Sequence, residues 1–372
     1  TANIFSALYG GPFSLTESFV NTIANNTPAL TLQRPFLGAG TTGNVDVTGL
    51  SVNLRNAYVQ QWNFTLERDL GASIGLRLSY VGTKATKLVY GRNVNMPVPS
   101  TTPFNQSRRP YPLLRNIILR DNGGNQIYHA LTTQLERKWS RGLSFMGAYT
   151  WAKNLTDVDE ISGVEAGTVI ENAFNRSRER ADAQYTPRHR FISTLIWELP
   201  VGRGKRLLGN SPASVVLGGW QLSGSFISQT GEFLTPSFAG VDPSNTQVVG
   251  GIPDRIGNGN LPSGQRTIDR WFDVSAFAVP PANSGRFGTS GRGVISGPGR
   301  QIASAAMFKS FPIRERAFFR IQISFTNLFN KPNFDIPALN ISAPNNVGTI
   351  RATSGRDLAG PRNGLIGARL DW

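Results

Sequence analysis

The sequence predicts an all-β chain: an antiparallel up-and-down transmembrane β-barrel, here a partial barrel of about 9–10 long strands with short periplasmic turns and long extracellular loops. Three observations predict it. Apolar and polar residues alternate with period two in stretch after stretch. These stretches run to about ten residues, the length a tilted strand needs to cross a bilayer, where soluble strands average about five or six. The connections between them alternate between short and long.

The hairpin from Tyr128 to Lys153 sets the pattern. Leu131, Leu135 and Trp139 share one parity, and Thr132, Gln134, Glu136 and Lys138 the other. After a break at Ser140, Arg141 and Gly142, the residues Leu143, Phe145, Tyr149 and Trp151 alternate with Ser144, Met146, Ala148 and Thr150. Two such runs joined by a tight glycine-containing turn form a hairpin.

In chain order, residues 1–57 are rich in Asn, Thr, Gly and Pro and read mostly as extracellular loop, with a weak strand at 12–20. Gly38, Gly40 and Gly43 have GxGxxG spacing but neither the strand before nor the helix after that a dinucleotide site needs, so they read as loop glycines. Residues 58–372 form the barrel portion. Tyr58 to Leu70 is the first clear strand, and Ile74, Leu76, Leu78 and Tyr80 mark the second. Residues 83–125 read as a polar loop before the Tyr128 hairpin, and residues 154–187 as another after it. Phe191, Leu195, Trp197 and Leu199 mark the fifth strand, and Trp220, Leu222 and Phe226 the sixth. The connection between these two is long and basic. Residues 231–300 are the longest loop. Gln301 to Phe311 is a weaker strand that turns at Pro312 to Glu315. Phe319, Ile321, Ile323 and Phe325 alternate most cleanly of all, and the chain ends on Ile366, Ala368, Leu370 and Trp372.

In a bacterial barrel short turns face the periplasm and long loops face outward. On that orientation Trp139, Trp197, Trp220 and Trp372 fall at periplasmic strand ends, and Trp151 and Tyr80 at external ends. The six are expected to form two aromatic girdles at headgroup level. Tryptophans at strand ends also close soluble sandwiches, so a soluble all-β carbohydrate binder is the weaker alternative.

Composition agrees. Hydrophobic residues make up 39% of the 372, yet no apolar run is long enough for a transmembrane helix. The 40 glycines and 23 prolines suit many turns. Cysteine is absent, which excludes disulfides, thiol nucleophiles and thiolate metal sites. The formal charge of +15 is spread over loops and turns, with no basic helix or aromatic RNA-binding signature. The expected partners are outer-membrane lipid and lipopolysaccharide phosphates, and no nucleic acid, with a merely solvated basic surface as the alternative reading of the charge. The opening Thr1-Ala2-Asn3 suggests a mature product or a piece of a longer chain.

Several segments resemble the C-terminal barrel portion of TonB-dependent outer-membrane receptors, most closely the Oar-like group with a carboxypeptidase-regulatory-like domain. They are Tyr58-Val59-Gln60-Gln61-Trp62-Asn63, Gly142-Leu143-Ser144-Phe145, Tyr149-Thr150-Trp151-Ala152-Lys153, Pro187-Arg188-His189-Arg190-Phe191 and Asn327-Leu328-Phe329-Asn330. The resemblance covers roughly residue 50 onward and implies ligand uptake across the outer membrane, energised by TonB. It implies a larger barrel, a plug and a TonB-contacting segment, the last two belonging to a segment this sequence lacks. The last strand is similar to the assembly signal of outer-membrane proteins, with Gly367, Leu370 and Trp372 in the matching positions and Ile366 departing from the usual polar residue. An exposed last strand can pair with an edge of the barrel-assembly machinery. A non-transporting surface or adhesion barrel is the alternative.

No enzyme chemistry is expected. His129 and His189 lack metal-pair spacing and are expected to face the lumen or headgroups. Asp157, Asp159 and Glu160 lack an EF-hand frame. Gly202-Arg203-Gly204-Lys205 lacks phosphate-loop spacing. No cofactor or metal is implied. Glu67, Arg77, Glu136 and Arg320 are expected in a polar lumen.

Overall fold

The computed structural model describes residues 23–24, 27–28, 45–158, 169–202, 204–209, 211–314 and 317–372. The weak strand at 12–20, Gly38, Gly40, Gly43, Asp159, Glu160 and Arg203 lie outside the described residues. Among these residues the dominant element is one eleven-stranded sheet. Nine of its strands form an up-and-down meander: β1 (Tyr58–Gly71), β2 (Ile74–Asn93), β3 (Leu114–Ser140), β4 (Leu143–Thr156), β5 (His189–Glu198), β6 (Gln221–Gln229), β7 (Arg300–Arg314), β8 (Ala317–Thr326) and β9 (Asn363–Asp371). Each pairs antiparallel with its sequence neighbours. The sheet does not close, so β1 and β9 are its edges and the fold is a partial barrel.

The register carries each apolar set across the wall. Phe64 pairs with Tyr80, Tyr80 with Leu131, Leu131 with Trp151, and Trp151 with His189. Lower down, Trp197 pairs with Leu222, Leu222 with Met307, Met307 with Ile323, and Ile323 with Ile366. The opposite face carries Glu67, Arg77, Gln134 and Ala148 in one row. A one-residue slip anywhere would exchange the two faces, which is why the register is strongly specified.

The apolar face is not a core. Phe64 is 69% exposed, Leu66 55% and Ile366 76%. In water each such side chain forgoes about 1.5–3 kcal/mol of burial. A wall of them is stable only against lipid.

The two tightest turns have a physical signature. Ala72 and Ser73 (φ 52° and 63°) join β1 to β2, and Arg141 and Gly142 (φ 53° and 75°) join β3 to β4. Two successive left-handed residues match the twist of the flanking strands. Near the outer end of the wall the Trp62 ring lies across Gly82, where an added Cβ would come within 2.2 Å of the indole.

Three expectations need correction. The polar stretch 83–125 is strand at both ends and loop only over 94–113, because β2 has 20 residues and β3 has 27. At about 3.3 Å per residue β3 reaches roughly twice the ~30 Å hydrocarbon core even when tilted. Its outer half lies beyond the membrane, half-buried among polar loop and strand neighbours, so period-two alternation has no reason to persist there. Val45–Leu50, within the stretch read mostly as loop, pairs in parallel with that outer half. Third, Pro312 does not start a turn: it pairs with Phe318 inside β7, which runs to Arg314. Strand β6 has ended opposite Phe308, so no β6 residue needs the missing N–H.

The Asn327-Leu328-Phe329-Asn330 segment closes the outer end of the last three strands. Asn327 takes φ 46° and is 2% exposed. Its Nδ2 donates to the carbonyls of Lys331 (2.9 Å) and Gly360 (2.8 Å), and its Oδ1 accepts from the Lys331 N–H at 3.1 Å. The Asn330 side chain accepts from the Arg362 N–H at 3.1 Å, just before β9. Asn327→Ala should cost about 1–3 kcal/mol by orphaning those groups. Asn327→Gly keeps the φ but loses the bonds and should cost nearly as much, measured as the urea midpoint of the refolded full-length protein.

Candidate functional site

Three surfaces can act: the apolar wall, the polar face and the outer loops. On the wall Tyr80, Leu131 and Trp151 occupy one row on three successive strands. Trp197 lies opposite Leu143, one residue past the β3–β4 turn. Trp139 precedes the same turn, in a register shift between Arg137 and Ser140. Trp220 immediately precedes β6, and its carbonyl accepts from the Leu199 N–H at 2.9 Å. Trp372 follows β9 and is 90% exposed.

Of the two sides expected for the histidines, lumen or headgroups, the register selects the outward one, beside Tyr80 and Tyr149. His129 and His189 lie on the apolar face, outside the lumen. The Tyr80 hydroxyl is hydrogen-bonded to His129 Nδ1 at 2.8 Å, and the Tyr149 hydroxyl to His189 Nδ1 at 2.7 Å. The rings of each pair are stacked, and Trp62 meets His129 edge-on. A Tyr and a His two residues apart in register could have signalled such diagonal pairs.

The polar face carries Glu67, Arg77, Glu136 and Arg320, as parity predicted, with one ion pair among them. Arg77 Nε donates to Glu67 Oε1 at 2.7 Å across β1 and β2. Gln134 Nε2 donates to Glu136 at 3.0 Å, and these residues border a recess of about 290 Å³. Arg320 lies on the same face of β8, its Nε donating to Ser310 at 3.3 Å. On β9, Gly367 pairs with Gln322 on the polar side and Leu370 with Phe319 on the apolar side.

The outer loops form a folded body with residues 230–299 at its centre. This segment has its own core of Leu234, Phe272, Ala276, Phe277 and Ile295, with Phe272 and Phe277 edge to face. Sequence reasoning saw only loop here, because the apolar residues are dispersed among Gly and Pro and show no period. Each neighbouring loop is tied to it. Arg108 Nη1 donates to the Asn245 carbonyl at 2.9 Å, and Arg109 to the Gln247 side chain. Arg178 pairs with Glu171 at 3.2 Å and donates to the Gly288 carbonyl at 2.5 Å, while Arg292 pairs with Glu179. Arg356 pairs with Glu232, and Trp271 N–H donates to the Gly348 carbonyl at 2.9 Å. Asp157 is held by Arg176 at 3.3 Å and accepts from the Asn125 N–H at 2.5 Å.

Electrostatics in this body run in two directions. The Arg286 guanidinium makes a two-pronged bond to Asp254 at 2.6 and 2.7 Å and holds its carboxyl below the usual carboxylate range. Burial pushes the Glu171 carboxyl up, against the pull of Arg178. Under the edge of this body lies a cavity of about 560 Å³ lined by Arg188, His189, Phe233, Arg266 and Trp271.

Comparison with known proteins fits this architecture. Residues 1–363 match the family described as outer membrane beta barrel domain. The chain belongs to that family, and its place is the outer membrane. No curated protein matches it. Among solved structures it is similar to the outer membrane transporter YddB from Escherichia coli, with 9% identity and TM-score 0.45, over 89% of this chain and 34% of that one. It is also similar to the ferric-catecholate import receptor Fiu from E. coli K12, with 11% identity and TM-score 0.38, over 97% of this chain and 30% of that one. The chain thus spans about a third of the length of these structures.

Because the folded carboxyl of Asp254 titrates below its unfolded value, its stabilisation is complete above the ordinary carboxylate range and is lost as pH falls through the depressed value. Proteolysis of the 230–299 segment should therefore accelerate on acidification below that range. Asp254→Asn should be cut faster at neutral pH and show less of this acid dependence, read by timed digestion of the full-length protein.

Proposed function

We propose that this chain is the C-terminal barrel portion of a TonB-dependent receptor of the Oar-like group, taking up ligand across the outer membrane. The observation that carries this reading is the outer body: three long connections converge on a fourth, core-bearing one, and none hangs free among the described residues. A cap of that kind suits capture at the mouth of a barrel better than free diffusion through it. The matching segments from Tyr58 to Asn330 support the same group.

In this reading Tyr80 and Trp151 belong to the outer girdle, and Trp139, Trp197, Trp220 and Trp372 to the periplasmic one, against headgroups. Arg266 in the cavity under the cap, beside Arg188 that pairs with Asp182, suits lipopolysaccharide phosphates. Gly367, Leu370 and Trp372 act with the barrel-assembly machinery, and the unpaired outer edge of β9 supports this. Contact with TonB belongs to a plug-bearing segment upstream in the full-length protein. A surface adhesion barrel is the competing reading.

Crosslinking in native membranes tests the proposal. The full-length protein should crosslink to TonB; an inserted barrel that never does so would be the adhesion protein instead. Trp372 is exposed, so Trp372→Ala should leave packing intact yet lower the amount of assembled, heat-modifiable barrel in the outer membrane. Unchanged assembly would remove the C-terminal signal from the account.

A further inference from the structure

Strand β7 carries a charged residue, covered by the β5–β6 connection, in a place that calls for explanation. Lys309 has the parity of Met307 and Phe311 and pairs with Ile321, so it points out from the apolar wall. A lysine facing lipid is costly. Here it is only 5% exposed, because the connection folds back against the outside of the wall and covers it. Its Nζ donates to the carbonyls of Val215 (2.5 Å) and Val216 (2.9 Å), the open end of the short helix Ser214–Leu217. The Trp220 indole donates to the same Val216 carbonyl at 3.0 Å. The ammonium also lies 4.5 Å from the Phe311 ring centre and 6.0 Å from that of Trp220.

The helix has the opposite oddity. Three successive residues, Val215 (55%), Val216 (64%) and Leu217 (53%), are exposed, as are Leu207 and Leu208. A short helical turn in water can leave its last carbonyls to solvent. In lipid those carbonyls must find protein donors. Lys309 and Trp220 supply them, and the carbonyls in turn make the outward lysine tolerable. The connection is braced for this: Gly218 packs so close to Gly202 that an added Cβ would lie 2.4 Å from the Gly202 Cα. The basic residues Lys205, which pairs with Glu198 at 3.1 Å, and Arg206 sit on the same connection.

We infer that the Ser214–Leu217 turn is a membrane foot: it lies in the inner leaflet of the outer membrane, against phospholipid, with Lys309 and Trp220 capping its carbonyls. Its surface continues the lipid-facing wall that the family places in that membrane. The inference depends on that location and not on TonB coupling. In-plane apolar turns of this kind sink about 5–10 Å into the headgroup and acyl boundary.

These 372 residues hold no cysteine, so a single one introduced here, with any elsewhere in the full-length protein replaced, gives a clean test. Val216→Cys in the full-length protein, labelled with a polarity-sensitive fluorophore and reconstituted in phospholipid vesicles, should emit blue-shifted light. Lipids brominated near the headgroup end of the acyl chain should quench it, and aqueous iodide should not. The same label at Arg206→Cys should respond more to iodide. Equal iodide quenching at both sites would overturn the inference. So would a blue-shifted probe that brominated lipids leave untouched, since a protein would then cover the turn. Adding Lys309→Met should shift the Val216 probe toward water while the barrel stays heat-modifiable; an unmoved probe would refute the capping role.

Discussion

Backbone hydrogen bonding in a medium without water is the constraint on which this structure depends. Within lipid every N–H and C=O must be satisfied by protein, and a meander of long antiparallel strands does so across each shared edge. Once the ladders are fixed, side chains alternate between lipid and lumen. Phe64, Tyr80, Leu131 and Trp151 then form one row, while Glu67, Arg77 and Gln134 form another on the opposite face. The two edges that remain open, β1 and β9, are where this partial barrel has yet to meet its requirement.

The same constraint explains what the sequence made legible. Between the two membrane boundaries the environment changes sharply from one face to the other, so the pattern is strict and each of the nine strands could be placed. Phe319, Ile321, Ile323 and Phe325 against Arg320, Gln322 and Ser324 is the cleanest case. Outside the membrane both faces of a strand meet water or loop, and the pattern fades. The outer halves of β2 and β3 were hidden for that reason, as was the Val45–Leu50 strand. Pro312 misled because its meaning depends on whether a neighbour needs its N–H, which no single sequence states.

The functional surfaces were legible to differing degrees. Charged lumen residues followed from parity alone. The tyrosine–histidine pairs needed the register, since Tyr149 and His189 are 40 residues apart yet bonded. The outer body was illegible. Phe272 and Ile295 make a core through long-range contacts among irregular turns, and ion pairs such as Arg178 with Glu171 stitch separate loops together. Local patterning carries no trace of such contacts, although the run of arginines and carboxylates in those loops is their raw material.

The central claim is that the Phe319 face of the wall meets lipid and the Arg320 face meets a water-filled lumen. An accessibility scan of β8 tests it most directly, with single cysteines placed in turn from Phe319 to Phe325 of the full-length protein in native outer membranes. A small charged thiol reagent should label alternate positions, reacting at Arg320, Gln322 and Ser324 and sparing Phe319, Ile321, Ile323 and Phe325, while a spin label at the spared positions should report oxygen-rich lipid. Uniform labelling of both sets, or the reverse alternation, would contradict the account.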